Sequence, residues 1–230
     1  MKLPNKTCSM ESAIAKIRDG DTVMIGGFGV PGTPMTLIHA LVDHGACNLT
    51  VVKNDANEPG MGIDHLLQNG QVSRLITTHL GLNNHAIEMM NSGGIAVEFN
   101  AQGILAERIR AGGAGLGGFL TDIGIGTELA EGKQQIEFGG KRQIIEPALR
   151  ANVALVHADR ADTFGNLGFV ATAQNFNTLM AMAADCVIAE AESLLPLGGL
   201  DPNNIHVAGV FVDHVVELNS LSKEYAVVQR

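Results

Sequence analysis

The stretch Asp19-Gly20-Asp21-Thr22-Val23-Met24-Ile25-Gly26-Gly27-Phe28-Gly29-Val30-Pro31-Gly32-Thr33-Pro34 carries most of the information about the fold. Its apolar run predicts a buried strand, and the glycines and prolines after it predict a turn whose backbone approaches a ligand closely. An amphipathic helix follows, with Thr33 as its predicted cap and Pro34 at its first position. Because helix N-termini carry unpaired amides and partial positive charge, this turn is a predicted seat for an anionic or dipolar group.

The first half of the chain repeats a rhythm of strand, turn and helix. Apolar strands are predicted at 22–25, 49–52, 74–78 and 95–99, with helices that end before glycine at 34–44, 63–69 and 86–92. After residue 141 strands are predicted at 143–146, 153–157, 187–189 and 210–216, with one helix at 176–184. We therefore expect an α/β fold in one domain over residues 1–230. Its open, mostly parallel sheet is flanked by helices, and its C-terminal part is richer in strands.

Polar residues follow three of the predicted strands at the edge where ligands collect in open sheets. The glycine turn follows the first strand, Asn54 the second and Gln102 the fourth. Asn54 can close an Asx turn or line a pocket. Gln102 can cap its helix or donate to a carbonyl oxygen that gains charge during acyl transfer. Gln174 and Asn175 stand before a later helix and raise the same two alternatives.

A second glycine cluster, Gly112-Gly113-Ala114-Gly115-Leu116-Gly117-Gly118-Phe119, follows the helix predicted at 104–110. Its composition predicts a long flexible segment, and such segments usually carry function or an interface. Because the cluster has low polarity, we expect a partner chain to contact it at Gly113, Gly115, Gly117 and Phe119.

Composition excludes several classes of function. The net charge of −9 argues against a broad surface for nucleic acid or acidic membranes, and 4% aromatic residues argue against a base-stacking surface. Three widely spaced cysteines and eight histidines without ligand spacing predict neither a disulfide framework nor a metal site. The N-terminus leads into no apolar targeting segment, so we expect a cytoplasmic protein.

Four blocks resemble family I coenzyme A transferases, specifically their alpha chain. They are the turn from Gly26 to Pro34, Gln102-Gly-Ile-Leu-Ala-Glu-Arg-Ile-Arg-Ala-Gly-Gly-Ala-Gly, Asp162-Thr-Phe-Gly-Asn166 and Gln174-Asn175-Phe176-Asn177. The resemblance covers roughly residues 9 to 218. It implies transfer of coenzyme A between a short-chain acyl-CoA, such as acetyl-CoA or a 3-oxoacyl-CoA, and a free carboxylate. It also implies that coenzyme A is a substrate and that no cofactor is tightly bound.

The resemblance further implies a ping-pong reaction through a glutamyl-CoA thioester on a partner beta subunit. That glutamate stands in a Ser-Glu-Asn-Gly context, which neither Asn57-Glu58-Pro59-Gly60 nor Ala130-Glu131-Gly132 matches. This chain is therefore expected to supply Gln102 as the donor to the thioester oxygen. The expected substrate contacts are Gly26, Gly27, Phe28, Gly29, Gly32, Asn54, Gln174 and Asn175. Gln174 replaces a more usual Arg, and the Asn54-Asp55-Ala56-Asn57 run departs from the usual pocket sequence.

Two other functions share this architecture. A sugar-phosphate isomerase needs an acid or base within the chain, for which Asp55 and Glu58 are the placed candidates. A metabolite-sensing domain binds its ligand without chemistry, and a fused DNA-binding segment would be expected beside it.

Overall fold

The computed structural model describes residues 3–227. Its helices are α1 Met10–Ile14, α2 Met35–His44, α3 Asp64–Gln68, α4 Asn84–Asn91, α5 Gln102–Gly113 and α6 Asn177–Ala183. Its strands are β1 Thr22–Ile25, β2 Leu49–Val52, β3 Val72–Thr77, β4 Ala96–Phe99, β5 Gly118–Thr121, β6 Gln135–Phe138, β7 Lys141–Pro147, β8 Ala151–Asp162, β9 Leu167–Gly168, β10 Ala184–Leu195 and β11 His214–Glu217. Short 3-10 turns join several of these elements.

The main sheet has eight strands, and seven of them run in the order β11-β10-β8-β1-β2-β3-β4. All neighbours on this path are parallel, and β9 adds to β8 in the antiparallel sense. Val23 of β1 lies between Val51 and Val153 of its two neighbours. The strand order reverses at β1, so the glycine turn opens at the switch point where such sheets form a ligand crevice. The predicted open, mostly parallel sheet is confirmed.

Alternation along the central strands divides the core between two faces. Val23 and Ile25 pack with α1 to α4 on one face. Met24 and Val52 pack with α5 and α6 on the other face. All four side chains are fully buried, which is why the central strands read as continuous apolar runs.

The second glycine cluster is not a flexible loop. α5 continues through Gly112 and Gly113, and after a short turn β5 enters a three-stranded antiparallel sheet in the order β5-β7-β6. A Cβ on Gly112 would lie 2.1 Å from the Leu149 carbonyl oxygen, and one on Gly113 would lie 2.9 Å from the Met182 Cβ. These glycines therefore allow close packing. The partner contact expected at Gly113, Gly115, Gly117 and Phe119 stays a prediction.

Other boundaries also differ from the prediction. β8 and β10 are twelve residues each, longer than the strands predicted at 153–157 and 187–189. The predicted strands are too short because polar residues interrupt the apolar runs. The strand predicted at 210–216 is a 3-10 turn over Gly209–Phe211 followed by β11. Thr33 does not cap α2: the N-cap is Pro34, and the Thr33 hydroxyl instead donates to the Gly29 carbonyl at 2.7 Å.

The cysteines at 8, 47 and 186 are free thiols. Burial, reinforced by the charge of Asp213, raises the pKa of Cys186 to about 11. This thiol therefore stays protonated and unreactive at neutral pH. Across residues 3–227, none of the helices combines the length and apolar character that crossing a bilayer requires.

Candidate active site

The glycine turn after β1 is fixed by polar side chains that follow β2. The Gly29 amide donates to Asp55 Oδ2 at 2.8 Å, and the Asn57 side-chain amide donates to the Gly29 carbonyl at 2.8 Å. Gly29 has a φ of +59°, a conformation that glycine adopts without strain. The turn is therefore held in one shape before any ligand binds.

A second set of hydrogen bonds connects this turn to α5. The buried Asn54 donates through Nδ2 to Asp55 Oδ2 at 3.0 Å. Its Oδ1 accepts from Gln102 Nε2 at 2.8 Å. Thr78 donates to the Asn54 carbonyl at 2.7 Å and so ties it to the end of β3. The structure thus brings together Gln102, Asn54 and the glycine turn, as the sequence predicts; their roles toward substrate stay predictions.

Asp55 and Lys53 are the charged groups of this network. The sequence offers Asp55 only as a candidate acid or base, and no sequence signal marks Lys53. Burial acts to raise the pKa of Asp55. The charge of Lys53 and hydrogen bonds from Gly29, Asn54 and Asn57 outweigh burial and hold that pKa below its usual value. Lys53 Nζ is fully buried, 3.8 Å from Asp55 Oδ1, and has no hydrogen-bond partner among residues 3–227. Burial lowers the pKa of Lys53, although the Asp55 charge opposes this.

The buried Lys53 ammonium predicts a specific dependence of stability on pH. Its pKa is lower in the folded than in the unfolded chain, so the unfolded chain binds more protons between the two values. Stability therefore rises with pH through that window, below the usual lysine pKa. We expect the free energy of unfolding of the wild type, measured relative to that of Lys53→Met, to increase between pH 7 and pH 10. The increase is at most about 1.4 kcal/mol per pH unit.

Urea unfolding at several pH values measures this difference. Lys141→Met, at an exposed position, is the matched control and should give a curve parallel to the wild type. Parallel curves for Lys53→Met and wild type would contradict the assignment.

Asn175 and Asn177 hold the opposite side of the glycine turn. Asn175 Nδ2 donates to the Pro31 carbonyl at 2.9 Å, and Asn177 Nδ2 donates to the Gly32 carbonyl at 2.9 Å. Asn177 is fully buried, and its Oδ1 also accepts the His157 amide at 3.2 Å. The Asn175 amide is therefore engaged by the chain itself, and the substrate contact expected at Asn175 stays a prediction.

A side chain of the protein itself, Asn177, lies close to Gly26 and Gly32. A Cβ on Gly26 would lie 1.9 Å from Asn177 Oδ1, and one on Gly32 would lie 2.6 Å from Asn177 Nδ2. Gly27 likewise gives room to Thr33, whose Oγ1 would lie 2.0 Å from an added Cβ. At these positions glycine makes room for the protein's own side chains, a requirement that the sequence alone does not show. The substrate contacts expected at Gly26, Gly27 and Gly32 stay predictions.

Gly26→Ala is expected to destabilise the protein by about 1–3 kcal/mol, the usual cost of overpacking a tight site. Asn177 cannot move aside without losing three hydrogen bonds, to His157, Gly32 and Ala173. Gly103→Ala, in open space on α5, is the control and should be neutral or stabilising by up to about 1 kcal/mol. Denaturant unfolding checks both, and equal stability of the two variants would contradict the packing argument.

Phe28 and Gln174 are two further predicted site residues that are exposed, as Gln102 is. Phe28 has 47% of its surface exposed and lines an open pocket of about 330 Å³ with Pro31, Thr172 and Asn175. Gln174 is exposed at the end of a 3-10 turn. Both therefore lie where a ligand or a second chain can reach them.

A buried ionic cluster contacts the first turn of α2. His157 Nδ1 lies 2.8 Å from Glu190 Oε1, and His157 Nε2 lies 3.1 Å from Glu192 Oε1. Glu190 Oε2 accepts the Leu37 amide in the first turn of α2 at 2.7 Å. Burial by itself lowers the pKa of His157, but the two glutamates raise it to about 9, so the ring is cationic at neutral pH.

Comparison with known proteins places this geometry in a family. The sequence model described as "Coenzyme A transferase" matches residues 7–218. The alpha chain of a probable coenzyme A transferase from Bacillus subtilis is 47% identical over 222 residues, covering 96% of this chain and 97% of the relative. The corresponding chain of a probable succinyl-CoA:3-ketoacid coenzyme A transferase from the same organism is 46% identical over 90% of this chain and 87% of the relative.

The fold matches a solved structure as well. The thioester complex of the acyl-CoA transferase YdiF from Escherichia coli O157:H7 with CoA superposes with a TM-score of 0.84 at 23% identity. The match covers 96% of this chain and 48% of that one, so this chain spans about half the length of that protein. The fold and the two relatives agree: the chain belongs to the coenzyme A transferase family.

Proposed function

We propose that this chain is the alpha subunit of a two-subunit transferase that moves coenzyme A between a short-chain acyl-CoA and a free carboxylate. The observation that carries the proposal is the chain of hydrogen bonds Gly29–Asp55–Asn54–Gln102. It fixes a side-chain amide beside a rigid glycine turn at the switch point of the sheet. Such an arrangement suits stabilisation of a carbonyl oxygen that becomes negative during acyl transfer.

The charge of Asp55 sets the direction of every amide in this chain of hydrogen bonds. An ionised carboxylate only accepts hydrogen bonds, so Asn54 must present its NH₂ group to Asp55. Asn54 Oδ1 then faces Gln102 and requires the NH₂ group of that side chain. One of the two Gln102 N–H bonds is used by Asn54, and the second is available to a substrate oxygen.

The carboxylates near the turn suggest that the nucleophile comes from elsewhere. Asp55 already accepts three hydrogen bonds and pairs with Lys53, and Glu190 is bound to His157 and the Leu37 amide. Glu58 is exposed between β2 and α3. A site rich in donors and lacking a poised carboxylate is what one half of a shared active site would supply.

The reaction then proceeds by exchange of acyl groups on a glutamate of the partner. That carboxylate attacks the thioester carbonyl, which forms a mixed anhydride and releases the CoA thiolate. The thiolate attacks the glutamyl carbonyl, which forms the glutamyl-CoA thioester and frees the first carboxylic acid. A second carboxylate reverses both steps. The Gln102 amide donates to the substrate carbonyl oxygen each time the carbon of that carbonyl becomes tetrahedral.

Exposed apolar residues at the same edge of the sheet fit coverage by a partner subunit. Phe28 follows β1, Leu82 follows β3, and Val170 follows β9. Each has about half or more of its surface exposed. The open pocket beside Phe28 suits a short acyl chain, in keeping with a relative named for a 3-ketoacid. Coenzyme A enters this scheme as a substrate.

The two alternative functions find less support. An isomerase would need Asp55 or Glu58 as its base, but the low pKa of Asp55 makes it a weak base and Glu58 is exposed to solvent. A purely sensing domain gives no reason for the hydrogen bonds that fix the Gln102 amide beside the glycine turn.

Mass spectrometry of the intact subunits tests the proposal. The complex with its partner is incubated with acetoacetyl-CoA and no acceptor acid, which lets the thioester intermediate accumulate. We expect the mass of bound CoA on the partner and an unmodified alpha chain. A CoA adduct on this chain, for instance at Glu58 or Glu131, would overturn the division of roles.

A further inference from the structure

Two histidines and a glutamate from three separate elements meet at one point on the surface. His39 lies on α2, His65 on α3 and Glu224 on the 3-10 turn Lys223–Val227. None of them takes part in the hydrogen bonds of the candidate active site. The family match ends at residue 218, so Glu224 belongs to a segment outside it.

The three side chains aim their ligating atoms at one another. Glu224 Oε1 contacts Nε2 of His39 and lies 3.3 Å from Nε2 of His65. All the ligating atoms lie within 4.8 Å of one another, and the two rings stand 4.7 Å apart at 42°. The other carboxylate oxygen, Oε2, accepts the Gly62 amide at 2.7 Å, which fixes the carboxylate as supporting hydrogen bonds do in metal sites.

One of the three ligand pairs already has the spacing of a tetrahedral metal site. Glu224 contacts His39 more closely than that, so this pair must separate when an ion enters. Ligands bound to zinc at about 2.0–2.1 Å in a tetrahedron are separated by roughly 3.3 Å, which is the separation between Glu224 and His65. Two imidazoles and one carboxylate are ligands that zinc accepts, and the fourth position can hold water. The side chains of His39 and His65 are 45% and 25% exposed, so an ion can enter from solvent.

We propose that His39, His65 and Glu224 form a binding site for a divalent transition-metal ion, with zinc as the preferred ion. The ion fastens the segment 219–226 to α2 and α3. Histidine spacing in the sequence predicts no metal site, because these ligands come together only through the fold. The proposal does not depend on the transferase function.

The fastened segment also contacts the back of the glycine turn. The buried Tyr225 donates its hydroxyl to the Thr33 carbonyl, and its ring lies 4.9 Å from the His157 ring. Thr33 in turn bonds to Gly29. Metal binding at Glu224 therefore stabilises the segment that holds Tyr225 against the glycine turn.

Metal titration with exchange measurements tests the proposal. The tag-free full chain is stripped with chelator and titrated with Zn²⁺ against a competing indicator, and amide exchange is followed in the peptide 219–226. We expect one ion per chain. At 100 times the dissociation constant, exchange should slow by up to about 100-fold where it requires release of the segment. Co²⁺ in place of zinc should give the visible absorption of a tetrahedral site.

Variants identify the ligands. Glu224→Gln keeps the size of the side chain and its bond to Gly62, and His65→Ala removes a second ligand. Each should weaken Zn²⁺ binding by at least about tenfold, since loss of even a supporting group costs 10–100-fold. His44→Ala, on the same helix as His39, is the matched control and should bind as the wild type does.

Three outcomes would overturn the proposal. The first is the absence of stoichiometric Zn²⁺ binding. The second is Zn²⁺ binding by Glu224→Gln and His65→Ala that is as tight as that of the wild type. The third is Zn²⁺ binding that leaves amide exchange in 219–226 unchanged.

Discussion

Gln102→Ala is expected to lower kcat of the reconstituted transferase by about 10²–10³, with a much smaller change in KM for the acyl-CoA. The lost N–H acts on an oxygen that becomes negative only as the tetrahedral centre forms, so the substrate complex loses little. Steady-state kinetics with the partner subunit present measures the effect.

Glu107→Gln provides the control for this variant. Glu107 lies on the same helix and pairs with Arg110 at the surface, so its replacement should leave kcat unchanged. The two variants should have similar stability, since Gln102 is exposed at the start of α5. A loss below about threefold for Gln102→Ala would assign Gln102 a structural role and would contradict the proposed donor.

His157→Leu is expected to destabilise the protein by about 3–5 kcal/mol, the cost of removing one partner from a buried ion pair. The substitution removes the cation that pairs with Glu190. Glu190 is fully buried, and it also accepts the amide of Leu37 at the start of α2. Urea unfolding at pH 6.5 measures the loss. A loss below about 1 kcal/mol would contradict a charged, paired His157.

The same cluster predicts a pH window. The pKa of His157 is about 9 in the folded chain and near 6.5 when unfolded, so the folded chain binds the extra proton. Its stabilising contribution is complete below pH 6.5 and is lost as the pH rises toward 9. A reference variant with His157→Gln and Glu190→Gln lacks this contribution. The difference in free energy of unfolding between the wild type and this variant should therefore shrink as the pH rises from 6.5 to 9. A constant difference would contradict the assignment.

Local signals were sufficient to predict the glycine turn and the positions of Asn54 and Gln102. Each directly follows an apolar strand, and parallel strands deliver such residues to one edge. The sequence could not show why Gly26 and Gly32 are glycines, because Asn177 stands about 150 positions away. The same holds for Gly112, whose close neighbour Leu149 follows the small antiparallel sheet.

Charged residues inside the sheet caused most of the remaining errors. In the sequence, Lys53 and Asp55 resemble ordinary solvated residues at the end of a strand, and only the folded structure shows that both are buried. His157 and Glu190 interrupt the apolar runs of β8 and β10, so both strands were predicted too short. Hydrophobic periodicity treats a paired buried charge as an exposed one. Hydrophobic periodicity therefore cannot predict a buried ion pair that forms between neighbouring strands.

CoA exchange between acetyl-CoA and acetoacetate or butyrate, measured with this chain alone and with its co-expressed partner, tests the split active site most directly. Alone, the chain should show no exchange, because the proposal assigns the nucleophile to the partner subunit. With the partner, exchange should appear with ping-pong kinetics. Exchange of equal rate by the isolated chain would contradict the account and would direct attention to Glu58 and Glu131 as nucleophiles within this chain.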